Sequence, residues 1–450
     1  MEVYRGRKPR ESPLWQLFDH HFDEFEYRYD DLFSREYGFF RPVISHIVRK
    51  YLECGDLEQG FARVRCPDCH HEYLLTFSCR GRWFCPSCHS KKVVQFGSHL
   101  HDNVIFPVPH RQYVFSIPKI IRKYFLYDRK LLGKLSKCAA SCLTSFFRMT
   151  LGKKLGIPGM ALAIQTFGDY AKWHPHVHAL VADGLFTETG YFYVMPKVAL
   201  RPLAELFRAS VLKMIKDEGR LDDTLIKKIL TWRHNSGFSV HNEVRLQAGG
   251  AKGIENVAQY IIRNAFSLAK LSYIEKTGTV IYRSKMSHGG KKRNFETYSP
   301  FEFIAAITQH IPERFAKMVR YYGWYSNRMR GDRQRATLLQ DETEKTETEN
   351  DEIIVISNFR TKKIPPLVWR ECTPRAFTLR HIKKVWDVDP LLCIYCGGLM
   401  KILAHLGLSE EAKSKRERAP PLPQTVETII EPYDDGWPDY EEPFIDVQTL

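Results

Sequence analysis

Long apolar runs are missing from this sequence: no stretch of about 18 uninterrupted apolar residues occurs, which disfavours a membrane-spanning helix. The opening segment MEVYRGRKPRESP has no apolar signal core, so secretion is not expected either. Basic residues are absent from Ala419 to Leu450, where eight acids give a net charge of −8. Residues 1–418 therefore carry +23, against +15 for the whole chain. A body this basic, with no membrane surface expected to meet it, calls for a polyanionic partner, and nucleic acid is the class that fits. The eleven cysteines are odd in number and several fall in C-x-x-C pairs. That pattern fits a disulfide framework poorly; reduced thiols holding metal in the cytoplasm are expected instead.

At 450 residues the chain exceeds what one core organises, so two to four domains are expected. Residues 12–53 read as two helices, with Leu14, Leu17, Phe18, Phe22 and Phe25 and then Val43, Ile44, Ile47, Val48 and Leu52 at helical spacing. They form a packing scaffold. Next, Cys66-Pro-Asp-Cys69 and Cys85-Pro-Ser-Cys88 stand fifteen residues apart, the arrangement of two knuckles converging on one structural zinc. Cys54 and Cys79 are open as alternative ligands, a second partial site or buried apolar residues, and His70, His71 and His89 add further candidates. Arg80, Arg82, Lys91 and Lys92 around the second knuckle suggest that this zinc ribbon touches nucleic acid. The lead-in and ribbon occupy 1–103.

Residues 104–336 alternate strands and helices. Strands are expected at Gln112–Ile117, Met160–Thr166, His176–Ala182, Tyr191–Val194 and Phe238–Leu246, with a helical stretch over 120–153. Cys138 and Cys142, one turn apart on an apolar face, belong to the core. Antiparallel strands with inserted helices make this an α+β domain. A helix over 253–270 carries Ile254, Val257, Ala258, Ile261, Ile262 and Ala265 as one apolar stripe. Tyr260 lies off that stripe with Asn256, Arg263, Asn264 and Ser267, either covering a neighbour or serving chemistry. A hairpin of Val280–Ser284 and Phe295–Tyr298 carries Lys291, Lys292 and Arg293 at its turn. Arg320-Tyr-Tyr322-Gly-Trp-Tyr325, followed by Arg328, Arg330, Arg333 and Arg335, interleaves charge with aromatics, as single-strand binding by backbone neutralisation and base stacking requires. An acidic linker is expected over 337–365. A small module over 366–408 contains a third knuckle, Cys393-Ile-Tyr-Cys396, a possible second zinc site completed by Cys372, His381 or His405; an acidic, Pro-rich disordered tail over 409–450 ends the chain.

The pair His176 and His178 flanks one apolar residue, so a strand puts both imidazoles on one face as half of a metal site. A third ligand is needed; Gln165 on the neighbouring strand is the first choice, with His174 and Asn264 as alternates. Phosphodiester chemistry follows from the combination: a divalent ion offsets charge on the scissile phosphate, and Tyr260 is the nucleophile of a two-step strand transfer. Divalent ions with oxygen preference fit the phosphate, whereas two imidazoles lean toward Mn²⁺ or a softer ion.

His176-Val177-His178 resembles the His-hydrophobic-His motif of HUH nucleases. Its setting resembles the rolling-circle transposases of the insertion-sequence ninety-one family and their common-region relatives. The resemblance spans nearly the whole chain: the knuckled head with Ser78-Cys79-Arg80, Gln165-Thr-Phe-Gly168, His174-Pro-His176-Val-His178, Gln259-Tyr260-Ile261, His310-Ile-Pro312 and Arg320-Tyr-Tyr-Gly323. The Cys393 knuckle and Tyr433-Asp-Asp-Gly-Trp-Pro438 resemble those of a subset of relatives. The resemblance implies an antiparallel-sheet HUH core, and cleavage and joining of single-stranded or hairpin DNA at element ends through a 5′-phosphotyrosine with Mg²⁺ or Mn²⁺. It also implies a cytoplasmic, nucleoid-associated bacterial protein. Some members carry two tyrosines four residues apart; Asn256 stands at the second position here, so a homodimer or sequential use of Tyr260 is implied. Two rival readings are a zinc-ribbon nucleic-acid-binding regulator without nuclease activity and a small-substrate hydrolase built on His174, His176 and His178.

Overall fold

A computed structural model describes residues 9–81, 83–231, 237–248, 251–284, 294–343, 361–363, 392–393 and 395–406. Two helices open the chain, α1 (Pro13–Tyr37) and α2 (Pro42–Leu52). Ser12 caps α1 by accepting from the Trp15 N–H, and Pro13 sits at the first turn, where its missing N–H costs nothing. The apolar stripe of α1 is buried from Leu14 to Tyr29, as its helical spacing requires. A hairpin of β1 (Phe61–Arg65) and β2 (Glu72–Thr76) follows, then α3 (Pro86–His99) and β3 (His110–Ser116).

The segment expected to form one helix over 120–153 divides into α4 (Arg122–Tyr127) and α5 (Lys130–Leu151). Asp128 takes an extended conformation between them and its carboxylate accepts from the Lys130 N–H. The long strands β4 (Gly159–Phe167) and β5 (Trp173–Ala182) come next, then β6 (Gly184–Phe186), β7 (Tyr191–Val194), α6 (Arg201–Asp217), α7 (Asp223–Thr231), β8 (Ser239–His241) and β9 (Arg245–Leu246). Helix α8 (Ala251–Ile261) is shorter than its apolar pattern suggests; it stops before Asn264, whose side chain accepts from the Ala265 N–H, an alternative to continuing the helix. Strands β10 (Leu271–Ile274), β11 (Thr279–Arg283) and β12 (Phe295–Tyr298), α9 (Pro300–Thr308), β13 (Val319–Gly323), α10 (Asn327–Thr343), β14 (Thr361–Lys363) and β15 (Lys401–Leu406) complete the described chain.

The main sheet is antiparallel in the order β13-β4-β5-β3-β8, with β9 also paired to β3. β4 and β5 are buried almost throughout, so their sequences read as apolar runs rather than alternations. One face packs against α5 and α6, where Tyr113 meets Phe147 and Phe115 meets Phe207 at ring separations of 6.1 and 4.9 Å. The opposite face carries the even-numbered residues of β5, including both histidines. Asp183, fully buried just past β5, accepts from Arg111 and Arg245 and locks this end of the sheet.

The third knuckle does not stand in a module of its own. β15 pairs antiparallel with β1, Phe61 opposite Leu406 and Arg65 opposite Lys401, making a three-stranded sheet in the order β15-β1-β2. The fold class is thus the expected mixture of helices and antiparallel sheet, but its small ribbon is assembled from both ends of the sequence.

Candidate functional site

Register places the candidate metal ligands. On β5 and β4, His176 lies opposite Gln165 and His178 opposite Ala163, so both imidazoles and the Gln165 amide leave one face. The His176 and His178 rings are 4.7 Å apart. His174, an alternate third ligand that lies ahead of the strand expected over His176–Ala182, belongs to β5 and continues the ladder 4.9 Å from His176. Gly168 backs it: a Cβ there would come within 3.0 Å of His174 Nδ1.

The polar atoms on this face are unusual. Gln165 is fully buried, and its Oε1 and Nε2 have no hydrogen-bond partner; the same holds for both ring nitrogens of His178. An unsatisfied buried polar atom costs about 1–3 kcal/mol, so a group of them converging on one face is the mark of a ligand site. His176 Nδ1 donates to the His174 carbonyl at 2.6 Å, which fixes the tautomer with the lone pair on Nε2, the outer-shell arrangement of a metal-binding imidazole. Burial, followed by His176 and Arg122, depresses the His174 pKa to about 2. Burial also holds His178 well below its ordinary value, aided by His176, Arg263 and His174. The His174 and His178 rings are therefore neutral near pH 7, as metal ligation requires.

Tyr260 stands half-buried in α8 with its hydroxyl withdrawn from solvent, while Ile254, Val257, Ala258 and Ile261 of the same helix are buried as the stripe predicts. Arg263 joins the two parts of the site: its guanidinium lies 6.0 Å from the centre of the Tyr260 ring, and its charge is among those that depress His178. The helical spacing puts Arg263 on the Tyr260 face but does not show that its charge reaches His178. Asn264, an alternate for the third ligand, is committed elsewhere, donating to the Phe84 carbonyl at 3.3 Å.

His89 fixes the end of α8. Its Nδ1 accepts from the Trp83 N–H at 3.3 Å and its Nε2 donates to the Ile262 carbonyl at 2.8 Å, satisfying a carbonyl at the end of the helix. Such a bond needs a neutral ring, and burial lowers the His89 pKa to about 3. The knuckled segment is therefore docked directly on the helix that carries Tyr260.

The cysteines are partitioned differently from their spacing. Cys66, Cys69, Cys85 and Cys88 do not share a site. Cys54, Cys79, Cys85 and Cys88 converge in one group, with Sγ separations of 3.6 to 4.0 Å among the pairs 79–88, 54–85 and 54–88. Cys66 and Cys69 meet Cys393 and Cys396 in another. A zinc–sulfur bond of about 2.3 Å puts tetrahedral sulfurs about 3.8 Å apart, close to these values. The first group lies against α1 and α2, through Phe84 packed edge-on to Phe18 and Tyr51 at 5.1 and 5.3 Å.

Of the expected nucleic-acid contacts, Arg80 and Arg328 are exposed, Lys91 and Arg320 are half-buried, and Tyr322 is half-buried with its hydroxyl 3.2 Å from Ser136 Oγ. Lys92 is a correction: it is fully buried, with Nζ 3.6 Å from the centre of the Trp83 ring, and cannot reach a phosphate. Tyr321, Trp324 and Tyr325 are also core residues rather than stacking platforms; Trp324 stacks on Phe186 at 4.9 Å, and Tyr325 donates to His110 Nε2 at 2.7 Å. Arg82, Lys291, Lys292 and Arg293 lie outside the described residues, as do the third-ligand candidates Cys372 and His381. No helix among the described residues is long and apolar enough to cross a membrane.

Comparison with known proteins agrees with this layout. Residues 18–117 match the family "Transposase zinc-binding domain", which spans the first cysteine group, and residues 159–333 match the family "Putative transposase", which spans β4, β5, α8 and β13. The chain is 26% identical over 389 residues to the transposase for insertion sequence element IS801 of Pseudomonas savastanoi, covering 82% of this chain and 86% of that one. It is 27% identical over 326 residues to "Putative transposase y4qJ" of Sinorhizobium fredii, covering 67% and 79%. No solved structure matches. A zinc-binding match ahead of a transposase match, with relatives matched over most of their length, makes the chain similar to IS91-like transposases.

Proposed function

We propose that this chain is a transposase that nicks and joins single-stranded DNA at element ends through a covalent bond between Tyr260 and a 5′ phosphate. The observation that carries the reading is the shared face of His176, His178 and Gln165, where buried amide and imidazole atoms lack hydrogen-bond partners. Nε2 of His176, a ring nitrogen of His178 and Oε1 of Gln165 would hold a divalent ion, Mg²⁺ or Mn²⁺. When bound, that ion supplies positive charge against the scissile phosphate. The remaining work belongs to the chain. The Tyr260 oxygen bonds to phosphorus as the P–O3′ bond breaks; the phenol loses its proton and the leaving 3′ oxygen gains one. Attack by a 3′-hydroxyl on the phosphotyrosine reverses the step, reforming a phosphodiester and returning the proton to Tyr260. Arg263, beside the Tyr260 ring, opposes the negative charge gathering on these oxygens.

A basic surface that includes Arg80 and Arg328 would hold the strand. Because Asn256 is the residue four before Tyr260, one protomer offers a single nucleophile at this position, so joining two ends needs a homodimer or two successive uses of Tyr260. The test is incubation of the full chain with single-stranded oligonucleotides from the element ends and Mg²⁺ or Mn²⁺. A covalent protein–DNA adduct is expected, and it should vanish in Tyr260→Phe. An adduct that survives Tyr260→Phe, or tight salt-sensitive binding with no metal-dependent cleavage, overturns the proposal.

A further inference from the structure

We infer that Cys66, Cys69, Cys393 and Cys396 bind a second zinc ion, which staples the C-terminal knuckle onto the N-terminal ribbon. The four Sγ atoms form one group, with Cys66 3.5 Å from Cys396 and Cys69 3.2 Å from Cys393, although each pair is separated by more than 320 residues of chain. None of the four is in a disulfide. They meet in crosswise order, the first cysteine of each knuckle beside the second of the other, so two ligand pairs face each other across one centre.

The backbone supplies a second, independent observation, because the two knuckles have the same construction. In each, the residue four after the first cysteine has a positive φ, 60° at His70 and 71° at Gly397. In each, the N–H of that residue donates to the first cysteine's carbonyl, at 3.1 Å (His70 to Cys66) and 2.9 Å (Gly397 to Cys393). In each, the first cysteine's own N–H donates to the carbonyl five residues on, at 2.8 Å for both Cys66 to His71 and Cys393 to Gly398. The next N–H then turns onto the second sulfur, that of Gly398 at 3.4 Å from Cys396 Sγ and that of His71 toward Cys69. His70 holds the left-handed position as a non-glycine residue, a strain that persists only where the surroundings require it.

Packing shows why a metal is needed there. The buried core of this sheet is Val64, Cys66, Cys393 and Met400, with Tyr73 and Leu75 against it. So small an apolar core cannot hold three strands drawn from opposite ends of a chain, whereas a structural zinc contributes folding free energy directly. Pairing of β15 with β1 and the crosswise thiolates are mutually dependent: the register that sets Arg65 opposite Lys401 brings the Cys396–Gly398 turn beside Cys66. The first cysteine group keeps its own ion, so the two sites are independent in ligands.

Zinc content of the full chain tests this by stoichiometry. Wild type should carry two zinc ions. Cys66→Ser/Cys69→Ser and Cys393→Ser/Cys396→Ser should each carry one, and the fourfold variant should still carry one, because both pairs serve a single ion. A fourfold variant that loses both ions, or a Cys393→Ser/Cys396→Ser variant that keeps both, overturns the inference. Wild type alone provides a second measurement that no folding defect can confound: thiol alkylation followed by peptide mass spectrometry during titration with a chelator. Cys66, Cys69, Cys393 and Cys396 should become reactive together, as one zinc leaves. If Cys393 and Cys396 alkylate at the rate of unfolded thiols while Cys66 and Cys69 stay protected, the staple does not exist.

Discussion

Consider lowering the pH around His310. This residue follows α9 and reaches under the turn between β4 and β5, where Nε2 donates to the Ala171 carbonyl at 2.8 Å and Nδ1 accepts from the Thr166 hydroxyl at 3.0 Å. Its ring stacks on Trp173 at 6.0 Å with an interplanar angle of 7° and meets Phe167 edge-on at 5.5 Å. It thus clamps the connection whose two strands carry Gln165 and His176. Tyr170 and Ala171 in that turn have positive φ, 58° and 56°, a conformation that must be held by something outside it. Burial lowers the His310 pKa from 6.5 to about 3; the bond to Ala171 opposes the shift, and Arg129 and Arg41 add to it. In the folded state the ring therefore stays neutral, while in the unfolded chain it titrates normally. Between pH 3 and 6.5 the unfolded state binds more protons, so the stability that His310 contributes is complete above pH 6.5 and falls as the pH drops through this window. At pH 5 the loss amounts to about 2 kcal/mol, from 1.36 kcal/mol per pKa unit. Replacing His310 by Gln keeps a donor for Ala171 but removes the titration. Denaturant unfolding of wild type and His310→Gln at pH 7.5 and pH 5 should show the stability gap between them narrowing or reversing by about 2 kcal/mol at the lower pH. A gap that does not change with pH, or a His310 ring proton resonance titrating near 6.5, refutes the reasoning.

Gln165→Leu should raise thermal stability, by roughly 1–3 kcal/mol, because it removes two buried amide atoms without partners. The same change should abolish or sharply reduce metal-dependent adduct formation; a variant that is destabilised, or fully active, contradicts the assignment of Gln165. Lys92→Met and Arg328→Ala should separate packing from DNA contact. Lys92→Met leaves oligonucleotide affinity and its salt dependence unchanged, since Lys92 is buried over Trp83, whereas Arg328→Ala, whose side chain is 91% exposed, lowers affinity and reduces the salt slope by about one. The readout is binding measured across a salt series.

Local periodicity was legible wherever one face of an element is buried. The stripe of α8 repeats every 3.6 residues because it packs on a core, so Ile254, Val257, Ala258 and Ile261 can be read off directly. The His-x-His pair is legible for the same reason with period two. Charge patterns misled where a basic residue sits inside: Lys92 neighbours Lys91 in sequence and looks like surface, yet the turn of α3 points it inward onto Trp83. The aromatic run at 321–325 misled because composition alone does not separate a ring that stacks on a base from one that stacks on Phe186.

By itself the sequence determined the candidate groups and the local shapes that present them: a strand that pairs two imidazoles, a helix with a tyrosine off its apolar stripe, and C-x-x-C turns that bring two thiols together. These are consequences of backbone geometry within a few residues, so they need no knowledge of distant chain. Tertiary structure alone decided which local pieces face each other. A knuckle contains only half of a tetrahedron, and nothing in its spacing says whether the other half lies fifteen or three hundred residues away. Strand register did that work, setting Gln165 opposite His176 and Arg65 opposite Lys401. Packing did the rest, placing Arg263 beside Tyr260, His89 under the end of α8 and Cys54 among thiols it does not neighbour in sequence.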